Sequence, residues 1–255
     1  MKSITILEKS YGSYKIAALN ALRRRFAKEL EGLEVQIGSI YNNSSGWITL
    51  ELEGEDEVAA VNFLKHNYGA TCTLGELEVN STRKGKLIQT GQFGFGLFID
   101  IGIDSKYKID AFLPLYKIRK QLARSEKIPL RDIIYNYGLL DNFSVEVLID
   151  SIDLLNRKVQ VSLSEDQINK FYEWTKSDLE RLIICGVSRN HIKKLILESG
   201  HFRDIIAVER LGLLEEMLLC KKGTQGAGIL SVIGPLIKDA KIHLFIPKNV
   251  KKYLL

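Results

Sequence analysis

The chain has 255 residues, 45% of them apolar and 26% charged, with a formal net charge of +5, which is room for two or three small domains with real cores. No run of about eighteen uncharged apolar residues exists, which excludes a helical membrane span, and the short alternating start, Lys2 to Leu7, lacks the long apolar region of a secretory signal. Three scattered cysteines, Cys72, Cys185 and Cys220, exclude a disulfide framework and suit a reducing cytoplasm.

In residues 1–70 the pattern predicts a strand at Ile4 to Leu7 and a helix over Tyr14 to Leu30. Apolar residues recur at Ile16, Leu19, Leu22, Phe26 and Leu30 with near-helical spacing. Two strands follow, Val35 to Tyr41 and Trp47 to Leu52, joined by the turn residues Asn42 to Gly46. A second helix runs from Glu55 to His66, its first-turn acids suiting a helix N-terminus. The order strand–helix–strand–strand–helix predicts a small α+β sandwich of ferredoxin-like kind. Arg23, Arg24 and Arg25 point about 100° apart on a helix, so they form no single phosphate fork and read as a solvated face.

In residues 71–166, Arg83 to Gly91 leads into FGFGLFIDIG, which places Phe95, Leu97, Ile99 and Ile101 on one parity and Gly96, Phe98 and Asp100 on the other. Phe95 and Phe98 therefore cannot both be core, and at least one ring is expected on a wet surface, where an aromatic face can stack on an unpaired base. Ile109 to Pro114, Val145 to Ile152 and Lys158 to Leu163 read as further strands, the last two separated by a turn at Asp153 to Arg157. Tyr116 to Arg124 reads as helical. The order F-G-x-F-hydrophobic-D-I-G, then a hydrophobic-L-P step, then I-D…R-K-V-x-V-S-L-S resembles an S1-type RNA-binding domain. That resemblance implies a five-stranded barrel of the oligonucleotide-binding class over Ser81 to Asp166. It also implies RNA contacts through Phe95 and Phe98 and through the neighbouring cations Arg83, Lys84, Lys86, Lys108, Arg157 and Lys158. The histidine that the family often carries after its third strand is replaced by Pro114. Thirteen bases against thirteen acids make this segment neutral, so affinity must come from local clusters.

In residues 167–255, fifteen bases face nine acids, and the basic excess of the chain resides here. Ile168 to Ile184 and His191 to Leu197 read as two helices joined near Gly186 and Ser188, a helical hairpin that is either scaffold or a helix-turn-helix in which Arg189, Lys193 and Lys194 would meet phosphate. Strands are expected at Asp204 to Glu209, Leu213 to Cys220 and Lys241 to Ile246. Lys221 and Lys222 precede a turn rich in glycine, Gly223 to Gly228, that opens a helix over Ile229 to Ile237. Backbone N–H groups there could cradle an RNA phosphate, although the pattern is not a nucleotide-hydrolysis motif. RDIIAVERLGLLE and CKKGTQGAGI also resemble segments of an archaeal family known only as a domain of unknown function. The match covers most of the chain and implies a cytoplasmic archaeal protein.

No nucleophile elbow, metal-ligand spacing or catalytic constellation assembles, and no cofactor is expected. The sequence thus predicts an α+β multidomain protein: a ferredoxin-like unit over 1–70, an S1-like barrel over 71–166 and a basic α+β domain with a helical hairpin over 167–255. Its expected role is non-catalytic binding of single-stranded or ribosomal RNA, within a ribonucleoprotein or polymerase complex and away from membranes. The alternative is a protein–protein adaptor of the translation, transcription or RNA-decay machinery.

Overall fold

The computed structural model describes residues 1–254. The first unit comprises β1 (Lys2–Lys9), α1 (Lys15–Glu29), β2 (Val35–Asn42), β3 (Trp47–Gly54) and α2 (Glu57–Tyr68). Its antiparallel sheet has the order β1-β3-β2. Ile4 and Ile6 on β1 and Ile48, Leu50 and Leu52 on β3 meet Ala18, Leu22 and Phe26 of α1 and Ala60 and Leu64 of α2 in one core. After α2 the chain returns beside β1: Thr71 donates its N–H to Thr5 O at 2.8 Å, and Leu7 donates to Gly69 O at 3.3 Å. Gly69 makes the reversal at φ 72°, where a Cβ would also strike Leu7.

The second unit is a closed barrel with the strand order β4-β5-β6-β8-β7. It comprises β4 (Thr82–Ile88), β5 (Gly96–Asp100), β6 (Ala111–Pro114), β7 (Ser144–Asp153) and β8 (Lys158–Leu163). Leu87, Leu97, Ile99, Ala111, Leu113, Val145, Val147, Val159 and Val161 fill its interior. The period of two in these strands selects that set, because every other side chain points inward. Two helices, α3 (Leu115–Leu122) and α4 (Leu130–Tyr137), lie between β6 and β7, and α5 (Glu165–Lys176) follows β8. Tyr137 is fully buried and donates its hydroxyl proton to Leu122 O at 2.7 Å.

The third unit corrects the expected helical hairpin. Helix α5 stops at Lys176, and Arg181–Cys185 is a strand, β9, followed by α6 (Arg189–Glu198), β10 (Ile205–Arg210), β11 (Glu215–Cys220), α7 (Gly226–Ile233), β12 (Lys241–Phe245) and α8 (Pro247–Leu254). All five residues of β9 are buried, because it is an inner strand of the sheet β10-β11-β9-β12 with both faces covered. Leu182, Ile184, Leu218 and Cys220 face Ile192, Leu195, Ile229 and Ile233 of α6 and α7. Ile183, Cys185, Met217 and Phe245 face the other way and join the barrel core alongside Phe171 and Trp174 of α5. A strand buried on both faces has no alternation to reveal it, and its apolar run reads equally as buried helix.

The two outer units share one topology. Each runs strand–helix–strand–strand–helix, with the first strand beside the third and the second at an edge. In the third unit β12 completes the sheet beside β9; in the first, the corresponding place beside β1 is taken by the short return at 69–71.

Candidate nucleic-acid interface

The outward face of the barrel carries four phenylalanines in mutual contact. Phe98 on β5 pairs in register with Phe112 on β6, and their ring centroids lie 5.2 Å apart. Phe93 and Phe95 in the loop before β5 complete the patch, at 5.4 Å from Phe93 to Phe98 and 5.7 Å from Phe95 to Phe112. Phe95 is 57% exposed and Phe93 37%, whereas Phe98 and Phe112 are half-buried. Neither Phe95 nor Phe98 belongs to the core; Leu97, Ile99 and Ile101 take the inward positions. Gly96 is required between them, since a Cβ there would lie 2.5 Å from both the Phe112 ring and Leu113 O. Phe93 and Phe112 were not singled out from sequence, although QFGFGLF already shows three aromatics crowded around two glycines.

Cations border this patch on two sides. Gln160 on β8 is the register partner of Phe112, and exposed Lys158 lies two residues away, roughly 7 Å along the strand. Arg157, also exposed, sits over the Tyr107 ring at 4.5 Å. Lys108 is exposed and pairs with Asp110 at 3.4 Å; burial pushes the Asp110 carboxyl up, and the Lys108 charge opposes it. On the opposite side a cavity of about 390 Å³ runs from Phe93 and Gly94 to Arg119 and Arg131. The loop between β7 and β8 projects Leu154 and Leu155, the latter 95% exposed.

Three of the expected cations lie elsewhere. Lys84 is exposed but sits four residues along β4 from Ile88, the partner of Phe98, hence roughly 14 Å down the strand. Arg83 is committed to backbone, donating Nε to Ile101 O at 3.1 Å and Nη2 to Ala70 O at 2.6 Å. Lys86 is corrected outright: it is 2% exposed and cannot meet RNA. Its Nζ contacts Glu215 Oε2 at 2.6 Å, Ser144 Oγ at 2.7 Å and Glu8 Oε2 at 3.3 Å. Tyr11 donates its hydroxyl to Glu215 Oε1 at 2.5 Å, and the Leu213 N–H reaches Glu8 Oε2 at 3.1 Å. Burial alone would push Lys86 down, but the carboxylates of Glu215 and Glu8 hold it above the ordinary lysine range. One side chain thus ties the barrel to both outer units. The partnership was invisible in sequence because Glu8 and Glu215 lie 78 and 129 residues from Lys86.

Lys221 and Lys222 are exposed at the end of β11. The glycine turn beside them is not open to phosphate at the start of α7, because Glu180 Oε2 accepts the Gly226 N–H at 2.7 Å. A carboxylate of the chain itself occupies the position expected for the anion. Among the described residues no group of three or more His, Cys, Asp or Glu could hold a metal ion, and no helix is long and apolar enough to cross a membrane.

No curated protein matches the chain. Among solved structures, an uncharacterized protein, MJ1198, from Methanocaldococcus jannaschii aligns over 35% of this chain and 96% of its own, at 12% identity and a TM-score of 0.24. A chain in the a/eIF2alpha–aDim2p–rRNA complex from Pyrococcus horikoshii OT3 aligns over 49% of this chain and 64% of its own, at 13% identity and a TM-score of 0.27. Both likenesses are too slight to carry an argument. The family models are different in kind, because they tile the chain: the DUF2110 N-terminal domain matches residues 3–80, the DUF2110 central domain 77–175 and the DUF2110 C-terminal domain 179–245. With barrel and both flanking units covered, the chain belongs to the DUF2110 family.

Proposed function

We propose that the protein is a non-catalytic RNA-binding protein whose barrel is of the S1, oligonucleotide-binding type and holds single-stranded RNA on its phenylalanine face. The observation that carries this reading is the contiguous, solvent-facing set Phe93, Phe95, Phe98 and Phe112. A soluble domain normally covers such rings, and an outward aromatic cluster with cations at its rim matches the chemistry of bases and phosphates. Its position also fits: in barrels of this class the second and third strands and the loops 1–2 and 4–5 form the binding face. Here those are β5, β6, the loop holding Phe93 and Phe95, and the loop holding Arg157. Lys108, Arg157 and Lys158 supply phosphate contacts, and stacking supplies base contacts without strong sequence preference. A ribosomal or other ribonucleoprotein RNA is the partner this reading favours.

The second reading is a protein–protein adaptor, favoured by Leu154 and Leu155, which give one rim of the face an apolar character. Titration of a labelled ten-nucleotide single-stranded RNA at low salt separates the two. The RNA reading expects micromolar binding that weakens with salt, with Phe95→Ala weakening it by about 1–3 kcal/mol. Absence of binding, or binding indifferent to Phe95→Ala, refutes it in favour of the adaptor.

A further inference from the structure

A second basic cleft lies far from the phenylalanine face in the fold, where the first and third units meet. It has a volume of about 380 Å³. Arg24 and Arg25 enter it from α1, Arg189 from the first turn of α6 and Arg210 from the end of β10. Three of the four guanidinium groups share two carboxylates. Arg25 pairs with Glu29 at 2.7 Å, while Arg189 and Arg210 both lean on Glu216, at 2.9 and 3.7 Å, and Arg189 also donates Nη2 to Val208 O. Arg24 has no hydrogen-bond or ion-pair partner among the described residues.

The backbone adds to this charge. Ser188 begins α6 but makes no side-chain cap, and the N–H groups of Arg189 and Asn190 have no hydrogen bond to another element. The first amides of a helix have no intrahelical acceptor and carry the positive end of its dipole. The contrast with α7, whose start is satisfied by Glu180, is direct. No aspartate or glutamate lines the cleft. The Arg23–Arg25 run, expected as a solvated face, is divided: Arg23 donates to Ile37 O and Gly38 O, whereas Arg24 and Arg25 turn to this cleft.

We propose that this cleft binds a phosphate group, held by Arg24, Arg189 and Arg210 and by the first amides of α6. Guanidinium forks match phosphate oxygens in a bidentate way, and helix amides complete the set. The cleft has room for one phosphate-bearing moiety, with Ala17, Ala21 and Leu213 available to its less polar part. The phosphate belongs either to a free phosphate-bearing small molecule or to the backbone of an RNA that also reaches the barrel.

The test uses the full chain. Inorganic phosphate and pyrophosphate are titrated against it at constant ionic strength set with chloride, with binding followed by calorimetry and by the melting temperature. The expected result is saturable binding and a raised melting temperature. Arg24→Gln should weaken binding by about tenfold or more while leaving the ligand-free melting temperature unchanged, since Arg24 supports no other contact. Lys28→Gln, on the same helix outside the cleft, serves as the charge control and should leave binding intact. Phe95→Ala should also leave the phosphate response intact, which keeps this site distinguishable from the barrel face. If Arg24→Gln additionally weakens a long RNA but not a ten-nucleotide one, the phosphate is that of an RNA backbone; if RNA is unaffected, it is a small molecule. Phosphate binding no better than chloride, or an equal loss in Lys28→Gln, overturns the proposal.

Discussion

Replacing Lys86 with Met should strongly destabilise the protein. Lys86 is buried between Glu215 and Glu8, and Glu215 is itself fully buried. Removing the ammonium leaves two carboxylates facing each other without a counter-charge, and breaking a buried pair in this way costs about 3–5 kcal/mol. For a chain of this size each kcal/mol moves the melting temperature by about 2–4 °C, so a fall of roughly 6–20 °C is expected. Urea unfolding followed by tryptophan fluorescence reads the loss, because Trp47 reports on the first unit and Trp174 on the seam between barrel and third unit. The reasoning makes a second demand. Combining Lys86→Met with Glu215→Gln removes the more deeply buried of the two stranded charges, so the double variant should be more stable than Lys86→Met alone. A single variant within about 1 kcal/mol of the native chain, or a double variant less stable than the single, would refute the account of this site.

Three further outcomes follow from neighbouring features. Leu97→Ala should cost about 2–5 kcal/mol of stability, whereas Phe95→Ala, two positions away, should leave the melting temperature nearly unchanged; parallel thermal denaturation decides. Gly96→Ala should cost about 1–3 kcal/mol and also impair RNA binding, because the new methyl group displaces the Phe112 ring; stability loss with full RNA affinity would contradict the packing of that ring. Burial pushes the Glu216 carboxyl up to about 7 against the pull of Arg189 and Arg210, from an ordinary 4.5. The folded chain then keeps a proton that the unfolded chain releases, so the contribution of Glu216 to stability falls as pH rises between those values and is level above them. Denaturation midpoints measured from pH 4.5 to 8 should show a shallower decline in Glu216→Gln, and an unchanged slope would refute the assignment.

The interior of the barrel was legible because FGFGLFIDIG alternates, and alternation is the direct imprint of a strand with one face inside. That pattern separated Leu97 and Ile99 from Phe98 and required at least one of Phe95 and Phe98 to be wet; the structure has Phe95 in the loop before β5, facing solvent, and Phe98 half-buried on the outward face. Lys86 read from sequence as an RNA-facing cation; it shares the outward face of Phe98 but is covered because Glu8 and Glu215 close over it from distant parts of the chain. Strand β9 failed for the opposite reason, since burial on both faces erases the period that distinguishes strand from helix. The glycine turn before α7 looked like an anion cradle, but its Gly226 N–H is taken by Glu180 from 46 residues away. Local spacing thus predicted which side chains share a face, while what covers that face depended on contacts no local window contains.

The buried lysine bears on how far the three units can be separated. The three family models divide the chain near residues 77–80 and 175–179, yet neither boundary separates an independent body. A fragment cut there would carry Lys86 with both carboxylate partners gone, and would bare Phe171 and Trp174 where Ile183, Met217 and Phe245 now cover them. The divisions therefore mark matched segments of the chain, not bodies that could each keep this core intact alone. Cutting away either outer unit would take one carboxylate partner from Lys86, so that one side chain makes the barrel depend on both of its neighbours.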